Sequence, residues 1–298
     1  MSEQNINPTA EIEETINPRV ESWKNFYSKL RKNKAAMVGG LLIIFFIIVA
    51  IVGPFLTPYE PDAQIITNKL APPSADHWFG TDHLGRDIFS RIVHGMKITL
   101  YIGFASVVLG ATVGVLVGII SGYYGGTVDS IIMRLMDVLL AFPSILLALA
   151  IVSVLGASLN NVIIAVAIFS VPVFARIVRG STLAVKNLEY VDAVKALGAT
   201  DRRIIFKHIL PNVTSPIIVQ ATLNIATSVL AASGLSFLGL GAQPPMPEWG
   251  AMLSDGRDYL FHAPHVSLFP GLAIVLVVIA FNILGDGLRD ALDPKMRV

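Results

Sequence analysis

Apolar residues gather along the chain into six long runs: Met37 to Leu56, Ile98 to Ile120, Val138 to Leu155, Leu159 to Arg179, Val213 to Leu240 and Leu268 to Gly287. A helix needs about 20 mostly apolar residues to cross a hydrocarbon core of about 30 Å. The pattern therefore predicts an all-α integral membrane protein with six transmembrane helices. The fourth and fifth runs are interrupted by Ser170, Pro172 and Arg176, and by Ser215, Asn224, Thr227 and Ser228. Such side chains face protein or an aqueous path rather than lipid. Asn224, Thr227 and Ser228, with Ser153, Ser158 and Asn282, are candidates to line that path, although the same residue types also hydrogen-bond neighbouring helices. Pro143 and Pro172 are expected kinks.

The rest of the pattern divides the chain. Residues 1–18 are polar and acidic and read as a disordered tail. Over 19–36, Trp23, Phe26, Tyr27 and Leu30 recur at helical spacing among Lys24, Lys29, Arg31, Lys32 and Lys34, as in a helix lying in lipid headgroups. The first run, 37–56, is too long for a signal-peptide core and has no small-residue cleavage site after it, so it stays as an anchor. Residues 57–97 form a loop, and 98–298 a five-helix core. In the second run Ser106, Gly110, Gly114, Gly118 and Gly122 repeat every four positions. That stripe lets another helix backbone approach closely, within the bundle or in a second subunit.

Composition agrees: 54% of residues are hydrophobic, 14% are charged, and mean hydropathy is +0.67, outside the range of soluble domains. There is no cysteine, so disulfides and thiolate metal sites are excluded. Six spans put both termini on one side. One side then collects seventeen of the 22 basic residues and the other keeps Lys69, Arg86, Arg91, Lys97 and Arg257. The positive-inside tendency makes the basic side cytoplasmic.

Between the fourth and fifth runs stands a polar stretch, 189–212, with Glu189, Asp192, Lys195, Asp201, Arg202, Arg203 and Lys207. At roughly +3 kcal/mol for each mid-membrane charge, burying it in lipid would cost on the order of 20 kcal/mol. Gly198 suits the left-handed residue that closes one helix, Thr200 or Asp201 caps the next, and Pro211 is expected to end it. Ala193, Ala196, Leu197 and Ala199 keep the turn small and apolar, like a knob that enters a groove.

The order Asp192-Ala193-Val194, three residues, Gly198, nine residues, His208-Ile209-Leu210-Pro211 resembles the EAA loop of binding-protein-dependent ABC importer permeases. Asp192 stands where that pattern has Glu, Val194 where it has a second Ala, and His208 where it has Ile. The ending His-Ile-Leu-Pro-Asn is similar to the peptide and nickel branch. FGTDHLGRDIFSRIVHG (79–95), MRLMDVLLAFP (133–143), ARIVRG (175–180), LSFLGLGAQPPMPEWGAML (235–253) and GDGLRDALDPK (285–295) resemble blocks of the C-type permease subunit of dipeptide, oligopeptide, glutathione and nickel importers. The resemblance runs from about Trp23 to the C-terminus.

It implies a type I ABC importer fold whose partners are a second homologous permease subunit, two ABC ATPase subunits, an extracytoplasmic substrate-binding protein and membrane lipid. The coupling residues it implies are Asp192, Ala193, Lys195, Gly198, Asp201, Arg202, Leu210 and Pro211, in a helix-turn-helix facing the cytoplasm. Gly80, Thr81, Asp82, Gly85, Arg86 and Asp87, with Pro247, Trp249 and Gly250, make an outer-face motif. It either docks the binding protein or seals the outer mouth, unless its glycines merely shape turns and its Asp and Arg pair locally.

No Gly-Lys pair occurs, so there is no P-loop lysine, and neither HExxH nor GxSxG is present. The chain reads as a non-catalytic subunit with no cofactor, no metal and no nucleic-acid partner. His77, His83, His94, His262 and His265 lie in outer segments near Asp82 and Asp87, a ligand set suited to nickel or zinc, but without close pair spacing on a helix. His208 reads as a helix-terminal cation, and Arg134 with Asp137 as an ion pair three residues apart. The leading function is import of di- or oligopeptides. Import of nickel or glutathione by the same kind of complex is the alternative, followed by an ion-coupled secondary transporter using Asp137 or Glu189.

Overall fold

The structure is a computed structural model that describes residues 33–292. Nearly all of the predicted headgroup helix, and the whole acidic tail, lie outside the described residues. Within them the chain is helical: α1 Lys34–Val52, α2 Ile88–Tyr124, α3 Gly126–Ala141, α4 Ser144–Leu155, α5 Leu159–Lys186, α6 Glu189–Ala196, α7 Asp201–Phe237, α8 Trp249–Gly256 and α9 His265–Leu292. Short 3-10 turns occupy Gly53–Phe55, Ile66–Asn68 and Arg257–Tyr259. Five of these helices are long and apolar enough to cross a membrane: α1, α2, α5, α7 and α9.

The third predicted span is not one helix. α3 and α4 meet at 90°. Phe142 adopts φ −88° and ψ 136°, the extended conformation that a following proline imposes, and Pro143 opens the new helix. With 12 residues, α4 is about 18 Å long and cannot cross alone.

The bent pair nevertheless carries the chain across, because α2 and α5 run parallel. A Cβ placed on Gly110 would meet Ala167, one on Gly114 Phe174, one on Gly118 Ala175, and one on Gly122 Thr182, so both helices ascend together. The predicted small-residue stripe thus packs within this chain. Two parallel helices joined in sequence need a return crossing between them, so α3 and α4 together make the sixth. Both ends of the described chain therefore lie on the same side.

α2 and α7 have 37 residues each, about 55 Å at 1.5 Å per residue and well beyond the hydrocarbon thickness. The excess of α2 begins at Ile88, ten residues before the predicted start, under a cap made of residues 53–87 and 238–264. The excess of α7 lies at the opposite end, where α6 and the turn after it form an elbow. Side-chain packing follows this division. Ile88, Ile92, Trp249, Met252 and Val266 are in the cluster under the cap. Ile119, Val178, Val191, Ile204, Ile209 and Val213 form a separate one beneath the elbow. α1 lies on α9, where Gly39 meets Ala280 and Leu284, and Gly287 meets Ala36.

Candidate functional site

The elbow is built as the spacing predicts up to its second helix. α6 buries Val191 against the lower cluster and exposes Asp192, Ala193 and Lys195. Gly198 has φ +80°, and a Cβ there would meet nothing within 4 Å. Its requirement is therefore the left-handed backbone, which costs an ordinary L-residue roughly 1–2 kcal/mol. Beside it Leu197 is 87% exposed, an unpaired apolar tip on a protruding turn. Arg202 and Arg203 are exposed next to it, as is Phe206.

Two expectations for the second helix are corrected. Pro211 does not end it: α7 continues through Leu210 and Pro211 to Phe237. Residues Ile204–Ile209 form a π-helical turn in which the Leu210 N–H reaches the Ile205 carbonyl, five residues back. The wider turn makes room for the ring and its missing N–H, which an α-helical turn does not tolerate. Consequently His208 lies inside a helix, not at its end. Thr200 takes the N-cap backbone conformation without a side-chain cap bond.

Asp201 is turned inward to its own chain, accepting the Tyr123 hydroxyl at 2.7 Å. Around it the elbow-side ends of four helices are tied. Lys186 donates to the Tyr123 carbonyl at 2.6 Å. Arg179 grips Asp129 through Nε and Nη2 at 2.5 and 2.6 Å, and Ser121 also bonds that carboxylate. Higher up, Asp137 pairs with Arg176 at 2.5 Å instead of with Arg134. The facing helix α5, rather than the next turn of α3, supplies the cation. The sequence reading missed Tyr123, Asp129, Arg179 and Lys186. Its available signal was charge of opposite sign at matching depth in two adjacent spans.

The cap residues come together, but inward. Thr81, Asp82, Arg86 and Asp87 are all buried, as is Trp249. Gly80 and Gly85 have positive φ and turn the loop so that Asp82 accepts Arg86 Nε at 2.6 Å. Arg86 reaches Asp255 at 3.3 Å, a partner that sequence reading did not name. Asp87 caps α2 through the Ser90 N–H and bonds His77 at 2.9 Å. The Trp249 indole donates to the Ile92 carbonyl at 3.0 Å. A Cβ on Gly95 would collide with the Pro247 carbonyl, and one on Gly250 with that of Ser233.

At the start of α8, Glu248 is fully buried. One oxygen accepts the Ala251 N–H at 2.9 Å and the other has no partner. Burial pushes its pKa above the usual 4.5, against the opposing pull of the Gly250 and Ala251 N–H groups. The histidines of the cap have local neighbours, His94 bonding Thr57 and His83 stacking on Tyr259. Among the described residues no three of His, Asp and Glu converge as a metal would require.

Of the path candidates, Asn224 and Ser228 are buried in the bundle without partners for Nδ2 and Oγ. Thr227 is exposed and donates to the Asn224 side chain at 3.0 Å.

The sequence of this multi-span bundle, with its exposed elbow at one end and its buried cap at the other, matches a known family. Residues 114–298 fit the model of the binding-protein-dependent transport system inner membrane component. The chain belongs to this family. Residues 22–73 fit the N-terminal TM domain of oligopeptide transport permease C. The dipeptide transport system permease protein of Alkalihalophilus pseudofirmus is 53% identical over 93% of this chain and 91% of that protein. A glutathione transport system permease protein of Pectobacterium atrosepticum is 50% identical over 92% of each. In fold, the chain matches the MetNI methionine ABC transporter in an inward-facing conformation, with TM-score 0.56 and 21% identity over 69% of this chain and 98% of that one. It is thus a multi-pass permease subunit of an ABC importer, and the expected type I fold holds.

Proposed function

We infer that this permease pairs with a second homologous permease subunit to make a translocation path for di- or oligopeptides. An extracytoplasmic binding protein delivers them, and two ABC ATPase subunits drive the cycle. The observation that carries the reading is the elbow: a rigidly backed turn whose tip presents an exposed Leu197 side chain and, at Gly198, open space where a side chain would stand. An exposed leucine flanked by Ala193, Lys195 and Arg202 suits insertion into a cleft of an ATPase subunit, with the charges fixing orientation. The positive-inside asymmetry supports a cytoplasmic elbow and cytoplasmic termini. It leaves the cap outside, where the buried motif around Arg86 and Trp249 serves as the seal of the outer mouth. Thr227, on the exposed side of α7, is assigned to the path side of the bundle, while Asn224 and Ser228 stand behind it in the interior.

The names of the relatives favour a peptide over nickel, and glutathione is itself a tripeptide. Isolating the assembled complex with its binding protein and identifying the bound solute tests that assignment; a bound metal complex would reject it. Gly198→Val tests the coupling: the variant inserts and assembles, but uptake is abolished because a β-branched residue cannot hold φ +80°. Parental uptake by that variant, or proton-driven uptake by this chain alone, would refute the reading and favour a secondary transporter.

A further inference from the structure

The elbow must not only meet a partner but also hand movement on to α7, and the junction between them is the widened turn Ile204–Ile209. A π turn is less regular than the α-helix around it, and its carbonyls need alternative donors. Pro211, just beyond, lacks the N–H that would otherwise serve the carbonyl four or five residues back, Lys207 or Phe206. The carbonyl of His208 finds two side chains. The Asn212 amide donates to it at 2.6 Å and the Tyr190 hydroxyl reaches it at 3.3 Å. Asn212 also donates to the Tyr190 oxygen at 3.1 Å, closing a three-membered ring of hydrogen bonds.

Tyr190 belongs to the first turn of α6, and Asn212 and His208 to α7. The ring therefore joins the two arms of the elbow on the side away from Gly198. It differs from the Tyr123 to Asp201 bond, which holds the start of α7 to α2, because it holds α6 to α7.

We propose that Tyr190 and Asn212 are positioning residues for coupling, forming a clasp that locks the π turn so that α6 and α7 move as one body. The proposal rests on the coupling role of the elbow. Without the clasp the π turn flexes, and motion of α6 is lost before it reaches the bundle. ATP would then be spent without import.

The test uses the complete complex reconstituted in proteoliposomes with its binding protein, measuring ATP hydrolysed per solute imported. Asn212→Ala and Tyr190→Phe each remove two of the ring's three bonds. Because all three are exposed, the pair together is counted as about one ordinary hydrogen bond, and each variant is expected to raise that ratio about fivefold to tenfold through the equilibrium between locked and slipping forms. Binding-protein-stimulated hydrolysis itself is expected to persist, which a loss of docking would not allow. Asn212→Thr is expected to recover most of the parental ratio. Its hydroxyl reaches the carbonyl four residues back, as Thr214 reaches Leu210 at 2.9 Å. Should Asn212→Ala fail to assemble, Tyr190→Phe decides, since it removes only the hydroxyl of a side chain 40% exposed. A parental ratio in Tyr190→Phe would overturn the clasp, even where Gly198→Val abolishes uptake and so upholds the coupling role itself.

Discussion

Replacing Gly118 by alanine adds a single methyl group, at the tightest backbone approach in the seam between α2 and α5. The new Cβ would lie 2.5 Å from the Ala175 carbonyl oxygen and 3.0 Å from Val178 Cβ. Ordinary contact begins at 3.4 Å, so the shortfall against the oxygen is about 0.9 Å, and a backbone atom cannot rotate aside. The two helices must separate by a comparable amount, which also loosens the seats of Gly114 and Gly122. Overpacking of this kind costs typically about 1–3 kcal/mol, and at about 2–4 °C for each kcal/mol in a chain of this size the melting temperature in detergent falls by roughly 2–12 °C. Gly180, on the same α5, is the control: a Cβ there meets nothing within 4 Å. Gly180→Ala gains about 0.5–1 kcal/mol of helix propensity and should melt slightly above the parent. The measurement is tryptophan fluorescence on heating, with both variants and the parent side by side. A Gly118→Ala protein that melts with the parent would refute the parallel seam, and with it the argument that the bent pair is a crossing.

Tyr123→Phe removes the hydroxyl that Asp201 accepts at 2.7 Å; hydrogen exchange over residues 189–203 should quicken about tenfold, the scale of a lost bond to a charged group, and unchanged exchange would refute the anchor. Glu248→Gln tests the buried carboxyl. Because the folded pKa is raised above the usual 4.5, the folded state holds its proton longer than the unfolded one. Its contribution to stability is present below pH 4.5 and is lost as pH rises through the raised folded value. The parent should therefore lose melting temperature over that window and the Glu248→Gln variant should not; equal slopes would place the pH dependence elsewhere.

What the sequence made legible was what repetition and composition encode. Apolar runs located the crossings, the four-residue spacing of Gly110 to Gly122 located the seam, and Gly198 located the turn. It failed where tertiary context overrides local preference. Pro211 is a strong helix terminator in isolation, yet the lower cluster holds Ile204, Ile209 and Val213 on one continuous face, and the backbone yields by one π turn. Ile88 to Lys97 read as loop because Arg91, His94 and Lys97 interrupt the apolar run. Arg91 is nevertheless buried, its guanidinium donating to the Pro61 carbonyl at 3.0 Å, a pairing that hydropathy cannot register. The cap motif was legible as a motif but not as buried, since burial of Asp82 and Asp87 depends on Arg86 and His77 arriving as partners.

The two long helices explain how one end of the bundle can inform the other. α2 holds the cap at Ile92 through the Trp249 indole and the elbow at Tyr123 through Asp201. α7 holds the cap at Ser233, against Gly250, and becomes the second arm of the elbow at Asp201. They touch midway, where Gly103 admits Ile225 and Val229. α2 and α7 are therefore each continuous helix between elbow and cap, stiff along the axis, with no loop in either to absorb a displacement, whereas the α3–α4 pair is bent at Phe142 and Pro143. Along α7 the backbone is softened at the π turn, below the membrane-crossing part, and at Pro216; under the coupling proposed above, the side chains that brace the π turn matter more for transmission than their exposed position suggests.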